Sequence, residues 1–258
     1  MALIVLQPVS GLAKDADSQP FGKFADGFSF LNNSPNVTHW GLGAGVGVMP
    51  SPYKGDSTRY LPIPLVTFDN KWVHVAGTTM DMKIGAWSDV SVVLRGRAAL
   101  FDGFKGSDAP VLNDMEKRSG AFWYGPSLEW RTSVGTLSGG FLLGGNKGTV
   151  GNVDFNRSFE VGRWSLEPYV GANWWSAKYV DYYYGVRPWE ARAWRPAYTG
   201  ESTWNVSVGT RASYRITRQQ MVGIDVGATR LGNSVTESPI VGRRFIPQAR
   251  LVYSYQFK

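Results

Sequence analysis

Cysteine is absent from the 258 residues, which removes disulfides, thiolate metal sites and a cysteine nucleophile together. No window offers the ~20 uninterrupted apolar residues that a membrane helix requires. Histidine occurs only as His39 and His74, and no Gly-x-Ser-x-Gly is present. In Gly135-Thr136-Leu137-Ser138-Gly139 the serine stands in the wrong slot for a nucleophile elbow. No cluster has metal-ligand spacing. The chain is therefore read as non-enzymatic, with no metal and no cofactor. Lys and Arg give a net charge of +7 but are dispersed, without a basic run or recognition helix. That argues against nucleic acid and for anionic lipopolysaccharide or anionic solutes.

What the chain has is alternation, on 31 glycines and 14% aromatic residues. In residues 244–257, Phe245, Pro247, Ala249, Leu251, Tyr253, Tyr255 and Phe257 share one strand face. Ile246, Gln248, Arg250, Val252, Ser254 and Gln256 share the other. One face suits lipid and the other water, and a terminal aromatic on a last strand is how outer-membrane barrels commonly end. Near the start, Trp40, Leu42, Ala44, Val46 and Val48 alternate with Gly41, Gly43, Gly45 and Gly47. That glycine run has period two and no helix after it, so it is no nucleotide loop.

Short turns at 88–89, 132–135, 162–163 and 217–219 alternate with longer loops at 102–120, 178–202 and 232–243. One rim of short turns and one of long loops marks an outer-membrane barrel. Counting back from Phe257 yields eight strands from Val90 onward. Residues 71–87, read as one long strand or two short ones, leave the total at twelve, with ten as the alternative. A soluble β-sandwich would alternate too, but would bury its Trp and Tyr rather than set them near strand ends. Pro62 and Pro64 place the start of the strand at 60–68 on the rim. The expected fold class is thus all-β, a transmembrane antiparallel barrel over residues 37–258. Residues 14–36 read as a periplasmic lead-in. Residues 1–13 read as a truncated signal peptide, with a buried strand as the competing reading.

The inward face carries Arg95, Arg97, Arg211, Arg215 and Arg250 against Glu129, Glu167 and Asp225. In a narrow barrel these groups must pair or line water, because an isolated buried charge costs several kcal/mol. Either they form a rigid network, or they line an Arg-rich passage that draws anions. His74 falls on the face of Trp72, Ala76 and Ile84, which reads as lipid-side. The loop at 178–198 interleaves Tyr182, Tyr183, Tyr184, Trp189, Trp194 and Tyr198 with Arg187, Arg192 and Arg195. Such a set can bind sugars, phosphates or a protein partner, or can fold into the barrel mouth with its rings stacked.

Five segments together resemble the MipA/OmpV family of Gram-negative outer-membrane proteins. They are Ser51-Pro52-Tyr53-Lys54-Gly55, residues 62–69 (PIPLVTFD), residues 181–186 (DYYYGV), Arg195-Pro196-Ala197-Tyr198 and Ser238-Pro239-Ile240-Val241. The order matches from about Trp40 to Phe257, and DYYYGV is the most specific. The resemblance implies a barrel in the cell outer membrane that scaffolds a murein hydrolase and a murein synthase on the periplasmic side. It supplies no catalytic or partner-binding residues to carry over. Expected partners are outer-membrane lipid and lipopolysaccharide, those murein enzymes, and the barrel-assembly machinery through the C-terminal strand. Some members are described as porin-like. The alternative function is therefore a narrow channel favouring small anionic solutes through its lumen arginines.

Overall fold

In a computed structural model that describes residues 29–30 and 36–257, twelve strands run antiparallel in chain order and the last pairs with the first. They are β1 (His39–Pro50), β2 (Thr58–Asp69), β3 (Val73–Ala76), β4 (Thr79–Trp87), β5 (Val90–Ala98) and β6 (Phe122–Arg131). Then come β7 (Thr136–Leu143), β8 (Thr149–Asn156), β9 (Trp164–Trp175), β10 (Thr203–Arg215), β11 (Gln220–Arg230) and β12 (Phe245–Gln256). Closure satisfies backbone groups that lipid cannot. No helix among the described residues is long and apolar enough to cross a membrane. The assignments for 1–13, and for 14–36 apart from residues 29, 30 and 36, lie outside the described residues.

Period two decides the faces. Leu42, Val46, Leu128, Leu166, Val208, Ile224 and Leu251 are exposed on the outside, where a bilayer replaces water. Rings gather at the periplasmic strand ends: Trp40 stacks on Phe257 at 4.2 Å, and Trp164 packs on Tyr214 at 4.8 Å. Both are placed as interfacial anchors. At the β1–β12 seam a Cβ on Gly43 would lie 2.3 Å from the carbonyl oxygen of Tyr253. One on Gly45 would lie 2.4 Å from that of Leu251. Only glycine permits the approach that closes the barrel.

The uncertain front of the chain resolves into the short hairpin β3–β4, whose turn is Gly77 (φ 59) and Thr78. This sets the count at twelve. Two expectations are corrected here. His74 faces the lumen, not lipid, since it is in register with Asp81, which is itself opposite Arg95. Its Nδ1 lies 2.9 Å from Asp69 Oδ1. Pro62 and Pro64 sit in the middle of β2 rather than at the rim. The long connections 99–121, 176–202 and 231–244 all leave from the same end, together with 51–57. They contain a helix α1 (Ala177–Tyr184) and a single turn α2 (Asn233–Thr236) that alternation alone did not reveal.

Candidate functional site

The lumen charges form one ordered row across four strands. Glu167, Arg211, Asp225 and Arg250 are direct cross-strand neighbours in β9, β10, β11 and β12. Arg211 Nη1 pairs with Glu167, and its Nε lies 3.9 Å from Asp225. Arg250 Nη1 lies 3.5 Å from the same carboxylate. Tyr169 donates to Asp225 Oδ1 at 3.0 Å and carries the Arg211 guanidinium over its ring at 4.6 Å. Two cations and two anions balance, which offsets the desolvation each would otherwise suffer.

The other predicted lumen residues do not join that row. Arg95 holds Asp81, an acid not singled out from sequence, through Nε and Nη2 at 2.7 Å each. Glu129 pairs with Arg131 at the exposed periplasmic rim, 2.8 Å away. Arg215 lies at the periplasmic end of β10, opposite Met221. Arg97 stands opposite Thr79 and Trp123, only 6% exposed, and its Nε and Nη2 have no hydrogen-bond partner among the described residues.

Above the lumen, the loops pack into the barrel mouth. Tyr53, Phe104, Leu112, Trp123, Trp175, Tyr179, Tyr183, Tyr184, Val235 and Ile240 belong to one buried apolar cluster. Helix α1 carries three of these tyrosines. Its N-cap Ser176 accepts from Tyr179 N at 3.3 Å and from Thr149 N at 2.9 Å, tying the helix to β8. Burial pushes the Tyr53, Tyr179, Tyr183 and Tyr184 hydroxyls well above the ordinary phenol range. They are neutral structural groups.

Two buried arginines pin the loops together. Arg118 Nη2 reaches both oxygens of Glu190, at 2.9 and 2.7 Å, and its Nε donates to the Tyr182 carbonyl at 2.9 Å. Arg195, 0% exposed, donates through Nη1 to the carbonyls of Val111 and Asn113, at 2.6 and 2.9 Å. Its Nη2 donates to the Glu190 carbonyl at 2.7 Å. Sequence reasoning missed Arg118 and Glu190; no periodicity marks residues that meet across two loops.

The nine loop candidates therefore divide. Tyr183, Tyr184 and Arg195 are internal, Tyr182 packs edge-on to Tyr183, and Tyr198 donates to the Ser234 carbonyl at 2.6 Å. Trp189 and Trp194 stand 65% and 61% exposed, with Arg187 and Arg192 beside them. Glu116 accepts from Trp189 Nε1 at 3.1 Å and pairs with Arg187. These hydrogen bonds, led by that of Trp189, hold its carboxyl below the usual range.

Of the segments that carried the family resemblance, 62–69 lies within β2 and the other four meet in this mouth. Tyr53 donates to the Tyr183 carbonyl at 3.1 Å, Lys54 N to Ile240 O at 2.9 Å, and Ser238 Oγ to the Tyr184 carbonyl at 2.6 Å. A family model described as MltA-interacting protein MipA matches residues 42–257. YiaT of Escherichia coli (strain K12) is 25% identical over 218 residues, covering 81% of this chain and 87% of that protein. The MltA-interacting protein of the same organism is 27% identical over 237 residues, covering 88% and 95%. Outer membrane protein OmpV of Vibrio cholerae is 30% identical over 136 residues, covering 52% and 53%. The matched span runs from the first strand through the last, so this outer-membrane β-barrel belongs to the MipA family.

Proposed function

We propose that the protein is a non-conducting scaffold of the outer membrane that anchors murein-remodelling enzymes on its periplasmic side. The observation that carries this is the packed mouth. A solute entering from outside meets Trp123, Trp175, Tyr179, Tyr183 and Tyr184, all essentially without solvent exposure, held by the Arg118–Glu190 pair. Below it, Arg95, Arg211 and Arg250 are occupied by Asp81, Glu167 and Asp225. Arginines neutralised by carboxylates leave little field to select anions. The MltA-interacting relative supplies the partner class, a murein enzyme. The contacts would lie on the short turns, the strand ends and residues 14–36. Lipid and lipopolysaccharide surround the barrel, and the β12 end is the expected handle for the barrel-assembly machinery.

Single-channel recording of the refolded protein in a planar bilayer tests this. Silence from a folded barrel, with retention of a murein hydrolase on the immobilised protein, is expected. Stable openings with anion preference would replace the scaffold by a narrow anion channel.

A further inference from the structure

Among the described residues, strand pairing in the barrel wall is interrupted between β2 and the strand that ends at Ala98. β2 pairs along its full length with β1, but on its other side only Thr67, Phe68 and Asp69 pair with β3. The β3–β4 hairpin ends at Gly77–Thr78, well short of the outer end of β2. Gly77 N donates to Val66 O, and Ala98 N to Thr78 O, at 3.0 Å each. Above that turn, residues 61–64 of β2 and residues 98–102 face each other without strand pairing. Arg59 closes the top, donating to the Gly103 carbonyl at 3.1 Å. The result is a framed window in the wall, with a narrow cavity of about 60 Å³ in it.

The sequence of β2 suits an unpaired edge inside a membrane. Successive residues of a strand direct their backbone groups to opposite sides, and Val66 directs its carbonyl to the window side. Pro62 and Pro64 share that parity. Proline has no N–H, so two donors that lipid would leave unsatisfied are absent from this edge. The window lining is apolar on both faces: Leu61 and Ile63 are buried toward the lumen, while Pro62, Pro64 and Leu100 stand outward. The cavity continues past β2 to Gly47, Gln248 and Arg250, and its charged lining is Arg97, Asp102 and Arg250. Arg250 is engaged by Asp225, whereas Arg97 has Nε and Nη2 unpartnered among the described residues. Those two nitrogens form the same edge by which Arg95 grips the Asp81 carboxylate. Two parallel N–H groups on one guanidinium edge match a planar carboxylate.

We infer that the window is a lateral binding portal for a long-chain fatty acid, its carboxylate on Arg97 and its tail lying between β2 and residues 98–101 toward the bilayer. A cavity of this size takes the carboxylate and the first methylenes, and the rest of the tail lies outside it in the bilayer. Asp102 lines the same cavity, and its Oδ2 also lacks a hydrogen-bond partner among the described residues. When ionised it opposes a carboxylate, so it weakens binding. The inference does not depend on whether the barrel scaffolds murein enzymes.

The test is equilibrium binding of radiolabelled palmitate to the refolded protein in maltoside micelles, at about pH 8 so that Asp102 is ionised. Saturable binding is expected, weakened about tenfold to a hundredfold by Arg97→Gln. It should be weakened less by Arg97→Lys and tightened by Asp102→Asn. Ile63→Trp, which fills the window with Arg97 intact, should abolish it. Heat-modifiable gel mobility verifies each barrel; should Arg97→Gln fail to fold, Arg97→Lys and Ile63→Trp decide. The inference is overturned if no binding saturates, if methyl palmitate binds as well as palmitate, if phosphatidate displaces palmitate preferentially, or if these variants change nothing.

Discussion

Arg95 and Arg97 leave the same strand on the same face, one strand repeat apart, and meet opposite fates. Arg95 finds Asp81 directly across on β4 and is fully engaged. Arg97 finds Thr79 on one side and Trp123 on the other, neither of which accepts from it. Below the β3–β4 turn the wall is continuous and its charges are matched across adjacent strands. Above it β2 has lost its neighbour, and a buried cation faces an apolar gap. The difference teaches that pairing in this barrel is a matter of strand register. Where the β3–β4 hairpin stops short, Arg97 has no carboxylate directly across from it, and the acid whose charge reaches it is Asp102 in the loop beyond β5.

The continuous wall breaks most completely at its seam. Gly43→Val places side-chain atoms against the Tyr253 carbonyl. Its expected outcome is failure to form the closed barrel, seen as loss of heat-modifiable mobility. Next comes the mouth: Glu190→Ala leaves Arg118 buried without its carboxylate, a change worth about 3–5 kcal/mol. A lowered urea midpoint should appear together with the first detectable conductance. A folded variant that stays silent would show that the apolar cluster closes the mouth without the ion pair.

The window can be sharpened by pH. Burial raises the Asp102 carboxyl from 3.8 to about 6, so the folded protein holds this proton more tightly than the unfolded chain. Stability from this group is fully present below about pH 4 and lost as pH rises through about 6. Asp102→Asn removes the loss. The variant should exceed the parent by about 2–3 kcal/mol at pH 8 and match it near pH 3.5 in urea titrations. The smallest effect is the most direct contrast. Asp81→Asn strips Arg95 of its charged partner and should cost about 1.5–3 kcal/mol. Arg97→Met removes a buried cation whose Nε and Nη2 have no hydrogen-bond partner among the described residues, and should be neutral or stabilising by the same measurement. Equal losses from both would erase the distinction between the two arginines.

Much of this is legible in the sequence. Outward Leu42, Val46 and Leu251 and inward Arg95, Arg211 and Arg250 follow from period two. The reading failed where that period is interrupted. Trp72 lies in the bend before β3, and the β4–β5 pairing slips between Lys83 and Gly85. Counting across a bend and a bulge therefore put His74 on the wrong face. In the loop at 178–198 the composition was plain, but the helix α1 sets Tyr179, Tyr183 and Tyr184 on one buried face. Trp189 and Trp194 fall beyond α1 and point to solvent.

By itself the sequence determined which faces meet lipid and lumen and which rim carries the long loops. Alternation and turn residues are local properties, set by backbone geometry a few residues at a time. Only the tertiary structure decided that Arg95 meets Asp81, that Glu190 is buried against Arg118, and that Pro62 and Pro64 border a gap. Those outcomes depend on register and hairpin length, which bring together residues far apart in the chain, and no local pattern encodes them.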